Sequence, residues 1–241
     1  MPDLTHDELR AESADLNRRI ERAGLLVLSF GNVSVADRSA GVFAIKPSGV
    51  PYAELTADDI VVLSIEDGST VWGSRRPSSD TPTHLLLYQQ YPLLAGIVHT
   101  HSPAAVAWAQ AHRSIPCLGT THADHFHGPV PVTRPLTAAE IEGEYEANTG
   151  RVIIEHFEAA RINPAHTPAV LVASHGPFTW GTSGAEAVTN AIALEAIAGM
   201  ALNTLALAPD RPPVDEALAE KHFGRKHGPA AYYGQPETER P

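Results

Sequence analysis

Short apolar runs alternate with helix-like segments along almost the whole chain, and this alternation most limits what it can fold into. Residues 42–45, 60–65, 96–101 and 169–173 are too brief for confident helices and read as strands. Asp67 and Gly68 make a turn before a further short run around Val71 and Trp72, a hairpin signal. Between these runs lie helix signals. Thr5 with Glu8 and Thr137 with Glu140 fit capping boxes, and Thr81-Pro82 fits an N-cap and first helical position. Residues 103–111, 151–159, 187–208 and 215–223 add further helices, and residues 129–133 a possible extra strand. The pattern predicts an α/β fold: one three-layer domain over residues 1–235, with a central, largely antiparallel sheet flanked by helices. Residues 236–241 read as a disordered tail, and no GxGxxG or Walker A motif is present.

Charge narrows the partners. The 241 residues carry 17 Lys+Arg against 28 Asp+Glu, a net charge of −11. That average field repels polyphosphates and anionic membranes, so neither a nucleic acid nor a membrane surface is an expected partner. An anionic substrate would need a local cradle working against the global charge. The lone cysteine, Cys117, excludes an internal disulfide framework and a Cys-based zinc finger. The opening residues are polar and acidic, unlike a signal peptide. The most apolar stretch, residues 187–208, contains Asn190, Glu195 and Asn203 and reads as a buried Ala-rich helix. A reducing cytoplasm is the expected setting.

Thirteen histidines are the compositional anomaly. His99 and His101 are two apart in a predicted strand, so both rings project from one face. His175 ends the apolar run at 169–173 and is followed by Gly176, where the chain must turn outward. Asp80, beside a helix start, could add a carboxylate. Three imidazoles and a carboxylate suit a divalent ion, zinc first among them. The bland alternatives are hydrogen-bonded polar residues at a strand end and a helix-capping Asp80. His122, His125 and His127 cluster without an evident fourth partner and read as loop or supporting residues. His6, His84, His112, His156, His166 and His227 read as surface or satisfied polar groups. Gly31-Asn32, Ser48-Gly49 and Ser78-Ser79 form three turns able to donate hydrogen bonds to a phosphate, with Lys46 adding charge. Any one of these alone is more often just a turn.

Taken in order, Gly31-Asn32-Val33-Ser34, Lys46-Pro47-Ser48-Gly49-Val50, Ser78-Ser79-Asp80-Thr81-Pro82, His99-Thr100-His101-Ser102, Thr121-His122-Ala123-Asp124 and Ser174-His175-Gly176-Pro177-Phe178 resemble the class II aldolase/epimerase family. Arg225-Lys226-His227-Gly228 and Ala231-Tyr232-Tyr233-Gly234-Gln235 resemble its sugar-phosphate epimerase branch, and the likeness runs from about residue 4 to Gln235. The resemblance implies one zinc ion per subunit, with Mn2+ or Co2+ able to substitute, on His99, His101, His175 and Asp80. It implies a pentulose phosphate substrate held by Gly31, Asn32, Lys46, Ser48, Gly49, Ser78 and Ser79. It implies Asp124 and Tyr233 as the acid/base pair, supplied by a neighbouring chain of a fourfold homotetramer. The expected activity is an isomerase's: opening a carbon–carbon bond, turning the aldehyde fragment and closing the bond again. The family's aldolases release their fragments instead, and usually carry Glu where Asp80 stands. A non-enzymatic protein with a structural zinc site is the rival of another class.

Overall fold

The computed structural model describes residues 6–227, 231 and 232. Thr5, Tyr233 and the expected tail at 236–241 lie outside those residues.

Seven strands form one sheet: β1 (Gly31–Asp37), β2 (Val42–Ile45), β3 (Val61–Ser64), β4 (Thr70–Trp72), β5 (Gly96–Thr100), β6 (Ala169–Leu171) and β7 (Pro177–Gly181). Their order is β4-β3-β2-β1-β5-β7-β6, and every neighbouring pair is antiparallel. The eight described α-helices are α1 (His6–Arg22), α2 (Thr81–Gln90), α3 (Pro103–Gln110), α4 (Thr120–Ala123), α5 (Ala138–Glu142), α6 (Tyr145–Ala160), α7 (Gly184–Leu207) and α8 (Glu216–His227).

Alternation along each strand sorts the core into two faces. Val33, Val35, Val42, Ala44, Val62 and Val98 pack with Leu9, Leu16 and Ile20 of α1 and Ala187 and Val188 of α7. Phe43, Ile45, Val61, Leu63 and Ile97 point the other way, onto Leu87 and Tyr88 of α2 and Ile153 and Phe157 of α6. Helices therefore cover both faces, giving the expected three layers. α7 is long and apolar enough to cross a membrane by length and composition. It lies along the sheet instead, and Glu195 explains its polar interruption. The Glu195 carboxylate accepts from the amides of Ala104 and Ala105, at 2.8 and 3.0 Å, and so caps α3.

Some local expectations are corrected. Asp80, not Thr81, occupies the N-cap position of α2, and the Thr81 hydroxyl donates to Ser78 O at 2.6 Å. Residues 129–133 form no strand. Pro129 and Pro131 lack the amides a ladder needs, leaving isolated bridges from Val130 to Ile115 and from Val132 to Leu171. β6 stops at Leu171, and α6 begins at Tyr145, six residues before the expected start. β7 and α4 had no sequence signal. β7 is buried throughout, so it shows no alternation, and Pro and Gly bound it.

Candidate metal centre and anion pocket

The parity that puts Ile97 on the α2/α6 face puts His99 there too, at the end of β5. Gly31 and Asn32, expected as a turn, instead open β1, and Asn32 pairs directly with His99. The His99 ring stacks on Phe178, with centroids 4.3 Å apart and planes 18° from parallel. His101 follows β5 by one residue. His175 comes from the turn between β6 and β7, which is closed by Val172 N–Gly176 O and His175 N–Val172 O bonds. Ser174 there has φ 62°, a left-handed conformation that non-glycine residues seldom adopt. Gly176 is required by close approach: a Cβ would lie 2.7 Å from Thr100 O.

Two distant segments thus bring three imidazoles together. Ring centroids are 5.0 Å apart for His99–His101, 4.7 Å for His99–His175 and 5.1 Å for His101–His175. One nitrogen from each lies within 4.8 Å of the others, and this is the only such group of metal-binding side chains among the described residues. Burial, with His99 and His101 adding to it, pushes His175 down to about 3. Burial and His99 lower His101 as well. Both rings are therefore neutral at pH 7, the state in which imidazole ligates a metal. His99 Nδ1 meets Pro177 O at 3.0 Å, an outer anchor that leaves Nε2 free. The donor set fits a borderline divalent ion such as zinc.

Asp80 stands outside the three-histidine group but lines the adjoining pocket. Its Oδ2 accepts from Asn32 Nδ2 at 2.6 Å, and the same amide reaches Ser78 Oγ at 3.0 Å. Burial alone would raise the Asp80 carboxyl. His99, His84 and the Asn32 bond outweigh it and hold the group below the ordinary range.

The pocket, a cavity of about 200 Å³, gathers the three short segments singled out in the sequence, of which Gly31-Asn32 is the start of β1 and not a turn. Gly31, Asn32, Lys46, Ser48, Gly49, Ser78, Ser79, Asp80, His99 and His101 all line it. The Lys46 ammonium is its electrostatic feature. Lys46 is only 4% exposed, and its Nζ contacts Pro47 O at 3.2 Å and the Tyr52 ring at 4.6 Å. It has no carboxylate partner among the described residues. Burial lowers its pKa for want of one. A buried, unpaired cation beside serine hydroxyls is a seat for an anion. Gly31 has φ 128°, and a Cβ there would sit 2.9 Å from His99 O, so this start of β1 requires glycine. The Tyr52 hydroxyl donates to the Gly31 carbonyl and pins it.

Asp124 does not line this pocket. It ends α4 and faces α8, where Arg225 forms a two-pronged ion pair with it at 3.0 and 2.7 Å and His222 Nδ1 lies 3.1 Å away. Burial raises its carboxyl, but those two partners overcome burial and keep it ionised. His122 bonds Gly128 O, His127 pairs with Glu220, and the His122/His125/His127 run forms no metal group among the described residues. Tyr233 lies outside the described residues.

Several site residues escaped sequence reading. Phe30 packs on His101 with centroids 5.3 Å apart, and Tyr145 Oη lies 3.4 Å from His175 Nδ1. His222 and Arg225 are three apart on α8, and this one-face spacing could have flagged them. His84, read as a satisfied polar group, is wholly buried. Its Nδ1 bonds Ser34 Oγ at 2.7 Å and its Nε2 has no partner among the described residues.

A three-layer antiparallel α/β chain with a three-histidine centre beside an anion pocket is the arrangement of a class II aldolase-type enzyme. Residues 11–202 match the family model described as Class II Aldolase and Adducin N-terminal domain, and the chain belongs to that family. It is 52% identical over 228 residues to the L-ribulose-5-phosphate 4-epimerase UlaF of Salmonella paratyphi C (strain RKS4594), covering 95% of this chain and 99% of that one. Among solved structures it resembles an L-fuculose 1-phosphate aldolase, with a TM-score of 0.77, 23% identity and coverage of 93% and 99% of the two chains. It also resembles the L-fuculose-1-phosphate aldolase of Thermus thermophilus, with a TM-score of 0.66, 24% identity and coverage of 85% and 99%. At these identities the two solved structures bear on the fold.

Proposed function

We propose that the chain is an L-ribulose-5-phosphate 4-epimerase, interconverting that sugar phosphate and D-xylulose 5-phosphate. The observation that carries this reading is the junction of three clustered imidazoles with a pocket holding a buried, unpaired ammonium. The near-full-length likeness to an enzyme of that name supports the choice of substrate.

The chemistry follows from the substrate. The C4 hydrogen is not acidic, because C4 is not adjacent to the C2 carbonyl. Opening the C3–C4 bond is easier, since the electrons left on C3 conjugate with C2 as an enediolate. His99, His101 and His175, with Asp80 as a further ligand, would hold zinc, or Mn2+ or Co2+ in its place. A divalent ion there supplies Lewis-acid stabilisation of the negative charge created on bond opening. Ser48, Gly49, Ser78, Ser79, Asn32 and Lys46 grip the phosphate and keep the glycolaldehyde phosphate fragment from leaving while its aldehyde turns over. Asp124 and Tyr233 exchange protons with the C4 oxygen on the two faces. Because Asp124 is fixed to α8 and does not line its own chain's pocket, the reading calls for a neighbouring chain to complete each site. We take the assembly to be a homotetramer, working in the cytoplasm in pentose catabolism.

A coupled assay tests the proposal. Protein incubated with L-ribulose 5-phosphate should form D-xylulose 5-phosphate, lose that activity to a chelator and regain it with zinc. Accumulation of free glycolaldehyde phosphate would assign an aldolase instead. A fully active, metal-free preparation would reject the metal role.

A further inference from the structure

The three histidines differ in how their rings are steadied. His99 is held through Nδ1 by the Pro177 carbonyl at 3.0 Å. His101 has an aromatic neighbour, Phe30. His175 sits on the turn that includes Ser174 in its left-handed conformation, and that turn alone does not fix the ring's rotation. Its Nδ1 has one hydrogen-bond partner among the described residues, the hydroxyl of Tyr145 at 3.4 Å, and the two rings lie 6.1 Å apart and 34° from parallel.

The backbone at Tyr145 and Glu146 is anchored by two hydroxyls. Tyr145 is the first residue of α6, and its carbonyl accepts from Thr149 Oγ1 at 3.0 Å. The next residue, Glu146, offers its carbonyl to Thr83 Oγ1 of α2 at 2.5 Å. α2 begins directly after Asp80, so the Thr83–Glu146 bond links the element after the pocket carboxylate to the element that carries the tyrosine. A neutral imidazole that ligates through one nitrogen carries its proton on the other, and a fixed acceptor there sets both tautomer and ring angle.

We propose that Tyr145 is a positioning residue for His175, its hydroxyl oxygen accepting from Nδ1–H so that Nε2 is presented to the metal. The inference rests on the metal reading above and does not need the sugar-phosphate reading. Tyr145→Phe removes only the hydroxyl and keeps the ring, and Tyr145 is only half-buried, so the variant should fold.

The test is competition for zinc between the protein and a chromophoric chelator, run on wild type and Tyr145→Phe, with the visible absorption of the Co2+-loaded forms alongside. Zinc affinity is expected to fall by about 10–100-fold. The cobalt bands should shift, while the thermal midpoint of the metal-free protein stays at the wild-type value. Equal zinc affinity and identical cobalt spectra in the two proteins would overturn the role of Tyr145. A wild-type chain that takes up no zinc would overturn the metal reading and this inference together. A chain that binds zinc without epimerising L-ribulose 5-phosphate fails only the proposed substrate, and the competition result still decides for or against Tyr145.

Discussion

A buried ammonium without a carboxylate is costly unless something negative comes to meet it, and Lys46 is the residue on which the proposed anion seat turns. Lys46→Met keeps the aliphatic stem and removes the charge. A hydrogen bond to a charged group contributes roughly 1.5–3 kcal/mol, so kcat/KM for the sugar phosphate should fall by about 10–100-fold. Initial-rate measurements check this, and an unchanged kcat/KM would remove Lys46 from the cradle. At this scale the sequence was most informative where chemistry follows spacing. His99 and His101 are two apart where a strand ends, and His175 follows a buried run. Ser48-Gly49 and Ser78-Ser79 were recognisable as turns, and folding brings both into one cavity. Tyr145 and Phe30 were not legible, because each reaches a histidine only through tertiary packing and neither has a motif of its own. Asp80 was read as a possible metal ligand, and its carboxylate is engaged by Asn32, a contact no linear spacing encodes.

Between elements, the caps and buried pairs decide how firmly the site is held. α3 starts two residues after His101, and its first amides are capped by Glu195 from α7. Glu195→Ala should lower stability by about 1–2 kcal/mol, read by chemical denaturation. A loss within error of zero would mean that water replaces the cap. His84 joins α2 to β1 through Ser34, and burial pushes its pKa down to about 3 from the ordinary 6.5. Its folded-state value is the depressed one, so the stability tied to the neutral ring is complete above pH 6.5 and drains away as pH falls toward 3. In metal-free protein, the wild-type thermal midpoint should drop more steeply between pH 7 and pH 4 than that of His84→Gln; parallel curves would contradict this. Most helices and the hairpin strands could be read from period and turn residues. β7 could not, because burial on both faces erases alternation. The segment at 129–133 misled in the opposite sense, since its apolar content could not offset two prolines.

For the molecule as a whole, the proposed function draws its residues from both the pocket and the α4–α8 junction, and on that proposal one chain alone is not a complete catalyst. Asp124→Asn should cut turnover by about 10²–10⁴. A His101→Asn variant should be inactive through metal loss. Co-expressed, these two should recover activity at about a quarter of the sites, the fraction in which an intact histidine set from one chain meets an intact Asp124 from its neighbour. No recovery in mixed oligomers would place both groups in the same chain's site. With a net charge of −11, the proposed cradle has to act locally: an anionic substrate would approach a repelling molecule and be captured at Lys46 and the serine turns. The chemistry assigned to that cradle opens C3–C4 and leaves the C4 hydrogen on its carbon throughout. Conversion of L-ribulose 5-phosphate in deuterium oxide, with C4 of the product read by NMR, examines this directly. Product D-xylulose 5-phosphate carrying protium at C4 is the expected result. Deuterium at C4 would mean that the hydrogen had been removed and replaced, and bond cleavage would have to be abandoned.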